Sequence, residues 1–255
     1  MSRILMVIVI VAAALYLALC AALLVFQRSL IYFPQPDTAD TPASLLKLAR
    51  VDAEVLVSVR AHAGPEALIY FGGNAEDVSR NLPVFAHAFP EQALYLMHYR
   101  GFGGSTGSPS EEANASDAIA LFDKVHAEHP NVAVVGRSLG SGVAVRLASE
   151  RPASRLILIT PYNSLQEIAQ RQYPMFPVKW LLRDTFESWK YASQIHVPTL
   201  LIAAELDEII PRASTERLYR HFAKGVATLK VIPGVGHNSI AESQDYLKLL
   251  GSGLP

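Results

Sequence analysis

Three short runs, Asn131–Gly136 (NVAVVG), Arg155–Thr160 (RLILIT) and Thr199–Ala204 (TLLIAA), are apolar at consecutive positions rather than at alternate ones. A strand with both faces apolar must be covered on both, which in a small domain means a parallel sheet sandwiched between helices. The rest of the chain fits that demand. Further β-type runs fall near 51–60, 67–71, 93–98 and 227–232, and helix-length stretches near 77–89, 113–129, 139–150, 212–224 and 241–250. The alternation predicts an α/β fold with a mostly parallel central sheet flanked by helices, occupying residues 51–255 as one domain. The stretch 162–190 breaks the alternation, being aromatic-rich and proline-containing. It reads either as a short cap over the site or as an ordinary crossover helix with an apolar face.

The amino-terminal end obeys a different rule. From Ile4 to Phe26 there is no charge, a length that lets a helix cross a hydrocarbon core about 30 Å thick. A cleaved signal peptide has a shorter apolar region, about 7 to 15 residues, followed by a polar stretch before the cleavage site. A lipoprotein signal ending at Cys20 meets a large residue, Leu19, where a small one belongs. Residues 1–28 therefore read as a single-pass membrane anchor and 29–50, with the three prolines Pro34, Pro36 and Pro42, as an extended connector. Arg3 and Arg28 flank the run almost symmetrically, and the short amino-terminal tail points to an inward amino terminus with the catalytic domain extracytoplasmic. The 22 basic and 23 acidic residues nearly cancel, which argues against nucleic acid as a partner. Cys20 is the one cysteine, so an intrachain disulfide is impossible and the compartment is not readable from it.

Chemistry is concentrated at the ends of the predicted strands. Gly136-Arg137-Ser138-Leu139-Gly140 follows a buried-strand run and precedes a helix that opens on small residues, the G-x-S-x-G setting in which a serine hydroxyl is presented on a strained turn. A nucleophilic serine needs a base to take its proton and a carboxylate to orient that base. Asp207, after TLLIAA, and His237, after TLKVIP, supply them in the chain order serine, acid, histidine. Glu205 and Glu208 are the alternative acids, read as loop or helix-entry residues. The other seven histidines have no comparable setting, and His126 with His129 lack a third ligand, so no metal is expected. Acyl transfer also needs N–H groups aimed at a developing oxyanion. The Leu139 N–H is one donor, and the Asn74 N–H, in the Phe71-Gly72-Gly73-Asn74 loop after a strand, is the expected second, although Gly-Gly equally suits a plain turn. Gly101, Gly103, Gly104 and Gly107 do not space as G-x-G-x-x-G, so a dinucleotide site is excluded there and a pocket-lining loop or simple turn is expected. No cofactor is required.

FGGNAED, YRGFGGSTGSPSE, GRSLGSGVAV, TPYNSL, LDEIIP and PGVGHN, in this order, resemble the α/β-hydrolase superfamily, specifically its small membrane-anchored branch that includes the α/β-hydrolase-domain depalmitoylases. The resemblance runs from about residue 30 to the carboxyl end. It implies an α/β-hydrolase fold and a serine hydrolase in which Ser138 is nucleophile, His237 base and Asp207 its orienting acid. Two departures stand out. The branch usually has His-Gly-Asn where this chain has Gly72-Gly73-Asn74, which puts the rigidity of the oxyanion loop in question. It often has aspartate where His98 stands, a change expected at the pocket edge. The implied activity is hydrolysis of a carboxylic ester or thioester through an acyl-enzyme, on lipid-like or acylated substrates held near the membrane. A peptidase or amidase, or a catalytically silent membrane-bound binding protein, are the alternatives.

Overall fold

The computed structural model describes residues 2–36 and 44–252. Eight strands form one sheet in the order β1-β2-β4-β3-β5-β6-β7-β8. They are β1 (Ser44–Ala49), β2 (Glu54–Arg60), β3 (Glu66–Phe71), β4 (Ala93–Met97), β5 (Asn131–Arg137), β6 (Arg155–Ile159), β7 (Thr199–Ala204) and β8 (Ala227–Ile232). Only β1 and β2 run antiparallel to their neighbours; from β4 to β8 every pairing is parallel. The helices are α1 (Arg3–Ile31), α2 (Leu82–Ala88), α3 (Glu111–His126), α4 (Leu139–Glu150), α5 (Leu165–Gln172), α6 (Val178–Leu181), α7 (Trp189–Ala192), α8 (Arg212–His221) and α9 (Gln244–Ser252).

The doubly apolar strands do what their composition demands. Along β3, Ala67, Ile69 and Phe71 join one core with α3, α4 and α8, while Leu68 and Tyr70 join a second core with α2 and α9. The same period of two splits β5 into Val132 and Val134 against Ala133 and Val135, and β6 into Leu156 and Leu158 against Ile157 and Ile159. Because β3 and β5 to β8 are parallel, their carboxyl ends share one rim, and loops from that rim converge on a common site.

The connector read at 29–50 is corrected at both ends. Helix α1 continues to Ile31, and Ser44–Ala49 is edge strand β1, paired with β2 from Ser44↔Val59 to Ala49↔Glu54; residues 37–43 lie outside the described residues. The strand escaped sequence reading because Leu45, an apolar residue at an exposed position, masks the alternation of Leu46 and Leu48 with Lys47. Lys47, facing outward on this edge, discourages pairing with another chain. Helix α1 is long and apolar enough to cross a membrane and is a candidate membrane span.

Candidate active site

Ser138 sits between the end of β5 and the first residue of α4 with φ 50° and ψ −117°, a conformation a non-glycine residue keeps only where its surroundings hold it. Its N–H donates to Ile159 O at 2.9 Å, and Ser141 Oγ donates to Ser138 O at 2.7 Å. The flanking glycines are required by contact. A Cβ on Gly140 would lie 2.1 Å from Phe71 O, and one on Gly136 2.4 Å from Gly140 O, so any side chain would push α4 away from β3 and β5.

Two loops from β7 and β8 complete a hydrogen-bonded chain. His237 Nε2 is 2.9 Å from Ser138 Oγ, and His237 Nδ1 lies 2.9 and 3.1 Å from the two oxygens of Asp207. The histidine and aspartate side chains are each 5% exposed, so water does not compete for these bonds. Asp207 is oriented before it meets the imidazole, since its Oδ1 accepts the N–H groups of Ile209 and Ile210 at 3.0 and 2.7 Å. The alternative acids do something else. Glu205 accepts the N–H of Gly234 at 2.8 Å and Glu208 that of His237 at 3.2 Å, so both brace the backbone of the histidine loop and neither meets its ring.

The loop after β3 lies beside the serine, because Phe71 pairs with Gly136 across the sheet and a Cβ on Gly73 would come 3.8 Å from Ser138 Cβ. Asn74 is held at both ends of its side: its carbonyl accepts the Phe33 N–H at 2.9 Å and its Nδ2 donates to Ile31 O at 2.7 Å. The end of α1 is thereby tied to this loop. Leu139, as the first residue of α4, has a backbone N–H with no partner inside the helix.

Glu76, which sequence reading missed, braces the same loop from below. Its Oε2 accepts Gly73 N–H at 2.8 Å and Arg137 Nη1 at 2.9 Å, and its Oε1 accepts Tyr70 Oη at 2.6 Å and Asn81 Nδ2 at 2.5 Å. Burial, reinforced by the Glu76 charge, pushes the Tyr70 hydroxyl well above the usual phenol range and keeps it a donor. Burial opposes the Arg137 charge, but Glu76 and the neighbouring tyrosines outweigh it and the guanidinium stays above its ordinary value. A Cβ on Gly72 would lie 2.5 Å from Val78 Cγ1 and 3.2 Å from the Glu76 carboxyl carbon. The position where the resembling branch carries histidine is therefore filled by Glu76 and Val78, and the loop is fastened by a carboxylate instead. An acid three residues after a loop N–H, the spacing of a capping box, was the available signal.

A cavity of about 670 Å³ opens above these residues. Asn74, Ser138, Leu139 and His237 line its floor, the stretch 162–190 supplies a wall through α5 and α6, and α1 supplies the opposite side. The stretch is thus a cap. One expectation is corrected. His98 is 2% exposed and bonds Ser58 Oγ at 2.8 Å away from the cavity, because Gly103 packs directly on its ring. Of the two readings of the 101–107 loop the simple turn holds: the loop does not line the cavity and turns beside Arg100, which is clamped by Asp52 and Asp117. His129 is likewise a packing residue, bonded to Gly64 O and Tyr95 Oη. Among the described residues no group of three or more His, Cys, Asp or Glu side chains is arranged to hold a metal ion.

Fold and site together define an α/β hydrolase. The serine aminopeptidase S33 family pattern matches residues 66–193 and 176–244, and the chain belongs to that family. Among its relatives, the Mycobacterium tuberculosis protein Rv2307c is 37% identical over 229 residues, covering 83% of this chain and 80% of that one. Lysophosphatidylserine lipase ABHD12 of Gallus gallus is 28% identical over 258 residues, 86% of this chain and 68% of that one. Of solved structures, the Pyrococcus furiosus esterase Pf2001 superposes with a TM-score of 0.68 at 16% identity, covering 87% of this chain and 96% of the esterase.

Proposed function

We propose that the protein is a serine hydrolase that cleaves a carboxylic ester or thioester of a lipid-like or acylated substrate through an acyl-enzyme. The observation that carries this reading is the unbroken chain from Ser138 Oγ through His237 to Asp207, with separations of 2.9 Å at both links. With the Nδ1 proton held toward Asp207, Nε2 is free to take the serine proton as Oγ attacks the acyl carbon. The negative charge that develops on the carbonyl oxygen is met by the N–H groups of Leu139 and Asn74. Imidazolium then protonates the leaving alcohol or thiol, the bond to it breaks, and a water deprotonated by His237 releases the acid and restores Ser138. The apolar cap and α1 walls, and the lipase name of the ABHD12 relative, support an acyl chain as the group accommodated.

The test uses detergent-solubilised full chain with p-nitrophenyl esters and a fluorophosphonate probe, wild type beside Ser138→Ala. Turnover and label are both expected to vanish in the variant; activity independent of Ser138 defeats the assignment. The family description names an aminopeptidase, which keeps an amidase reading in play, and faster turnover of peptide amides than of matched esters would favour it.

A further inference from the structure

The contact between α1 and the cap reaches unexpectedly far along the helix. Tyr16 Oη donates to Met175 O at 2.9 Å, and its ring stacks on Phe176 with centroids 5.8 Å apart and planes 2° from parallel. A core about 30 Å thick takes about 20 helical residues. With Ile4 at the far face, the near face crosses α1 around residue 24, and the Tyr16–Met175 contact lies about 12 Å inside it.

The cap tip, residues 173–181, has the surface and the backbone for such a depth. Met175 and Trp180 are each 81% exposed and Tyr173 is 41% exposed, an apolar surface left uncovered among the described residues. Lys179 is the one charge in the tip, and its long stem can carry the ammonium to the headgroups. Irregular backbone survives at membrane depth only if its polar groups are satisfied within the protein. Pro174 and Pro177 have no N–H, and the N–H groups of Tyr173, Phe176, Val178, Trp180 and Leu181 donate to nearby carbonyls. Met175 O accepts from Tyr16 and Leu181 O from Gln27, both residues of α1. From Ile168 to Arg183 the chain holds Arg171, Lys179 and Arg183 and no acid, a charge balance complementary to anionic headgroups. The cavity above Ser138 is bounded here by Leu23 and Leu30 of α1 and by Phe176 and Leu181 of the cap.

We propose that the cap tip is seated in the lipid bilayer beside α1, and that the cavity opens between them inside the leaflet, so that an acyl chain enters the site from the bilayer without crossing water. The seating rests on α1 being a membrane span; the entry route rests also on the hydrolytic reading given above.

Full chain carrying Trp189→Phe keeps Trp180 as its single tryptophan. It is reconstituted in vesicles of phosphatidylcholine and phosphatidylglycerol in which the phosphatidylcholine is brominated part-way down the acyl chains. Blue-shifted Trp180 emission, quenched by the bromolipid and sheltered from aqueous iodide, is expected. Water-like emission quenched by iodide and untouched by bromolipid overturns the seating. In a second arm, Met175→Asp is expected to slow turnover of a long-chain ester carried in the same vesicles by about tenfold or more, while turnover of a soluble short-chain ester and fluorophosphonate labelling hold at the wild-type level. Equal loss on both substrates overturns the entry route. Absence of label at Ser138 in the wild type counts against the hydrolytic reading alone, because bromolipid quenching decides the seating either way.

Discussion

Replacing Glu76 by glutamine isolates the brace beneath the loop whose Asn74 N–H is the proposed oxyanion donor. Four donors converge on two carboxylate oxygens: Gly73 N–H and Arg137 on one, Tyr70 and Asn81 on the other. With its NH₂ toward Gly73 and Arg137 the amide makes two donor-to-donor contacts; with its NH₂ toward Tyr70 and Asn81 the Tyr70 hydroxyl can turn to accept, which leaves one such contact, and in both orientations Arg137 loses its charged partner. The side chains of Glu76 and Arg137 are 12% and 19% exposed, so water restores little of the loss. A buried group left unsatisfied costs about 1–3 kcal/mol, which puts the total near 2–4 kcal/mol, shared between the fold and the position of the loop. Loss of one oxyanion donor lowers kcat by roughly 10²–10³-fold at most. With the strain shared, kcat in Glu76→Gln is expected to fall by about 10- to 100-fold with KM within about twofold, since the donors act on the transition state rather than on the bound ester. The unfolding midpoint should drop by about 4–16 °C, at the 2–4 °C per kcal/mol typical of a domain this size. Ester kinetics measured well below the variant's midpoint, alongside a melting curve, provide the test. A lowered midpoint with unchanged kcat would refute the positioning argument and leave Glu76 a purely structural residue.

Asp207→Asn should leave the turn intact, because the amide oxygen still accepts from Ile209 and Ile210, yet it presents NH₂ to His237 Nδ1 and selects the wrong tautomer; kcat is expected to fall by about 10⁴-fold with an unchanged melting curve, and a drop of less than about tenfold would contradict the assigned role. Glu111 accepts the Phe186 N–H at 2.8 Å, and burial raises its carboxyl above the ordinary value of 4.5. A raised acid favours the protonated folded form, so its ionisation lowers stability as pH climbs from about 4.5 through the folded-state value. Glu111→Gln should therefore melt higher than wild type at neutral pH and alike in mild acid, and thermal denaturation across that range reads the difference; a gap that persists in acid would exclude the carboxylate as its cause.

The amino-acid sequence by itself determined the class of fold and the chain of groups that carries the proposed chemistry. Runs such as NVAVVG and RLILIT have no stable arrangement except between two helical layers. Ser138, Asp207 and His237 were legible because each stands just past a strand that must end at the same rim, so local spacing already implied their convergence. What surrounds them was decided only by tertiary structure. Glu76 looks like any loop acid until the fold turns Gly73, Tyr70 and Asn81, all within six residues of it, onto its carboxylate and brings Arg137 from 61 positions away. Strand β1 exists through its register on β2 rather than through its own pattern. His98 was expected at the pocket edge because it stands where the resembling branch often has aspartate, yet the ring packs under Gly103. The placement of α1 against the cap depends on contacts between residues more than 150 positions apart, such as Tyr16 with Met175. Periodicity reports which face of an element is buried; it carries no information about which distant partner buries it.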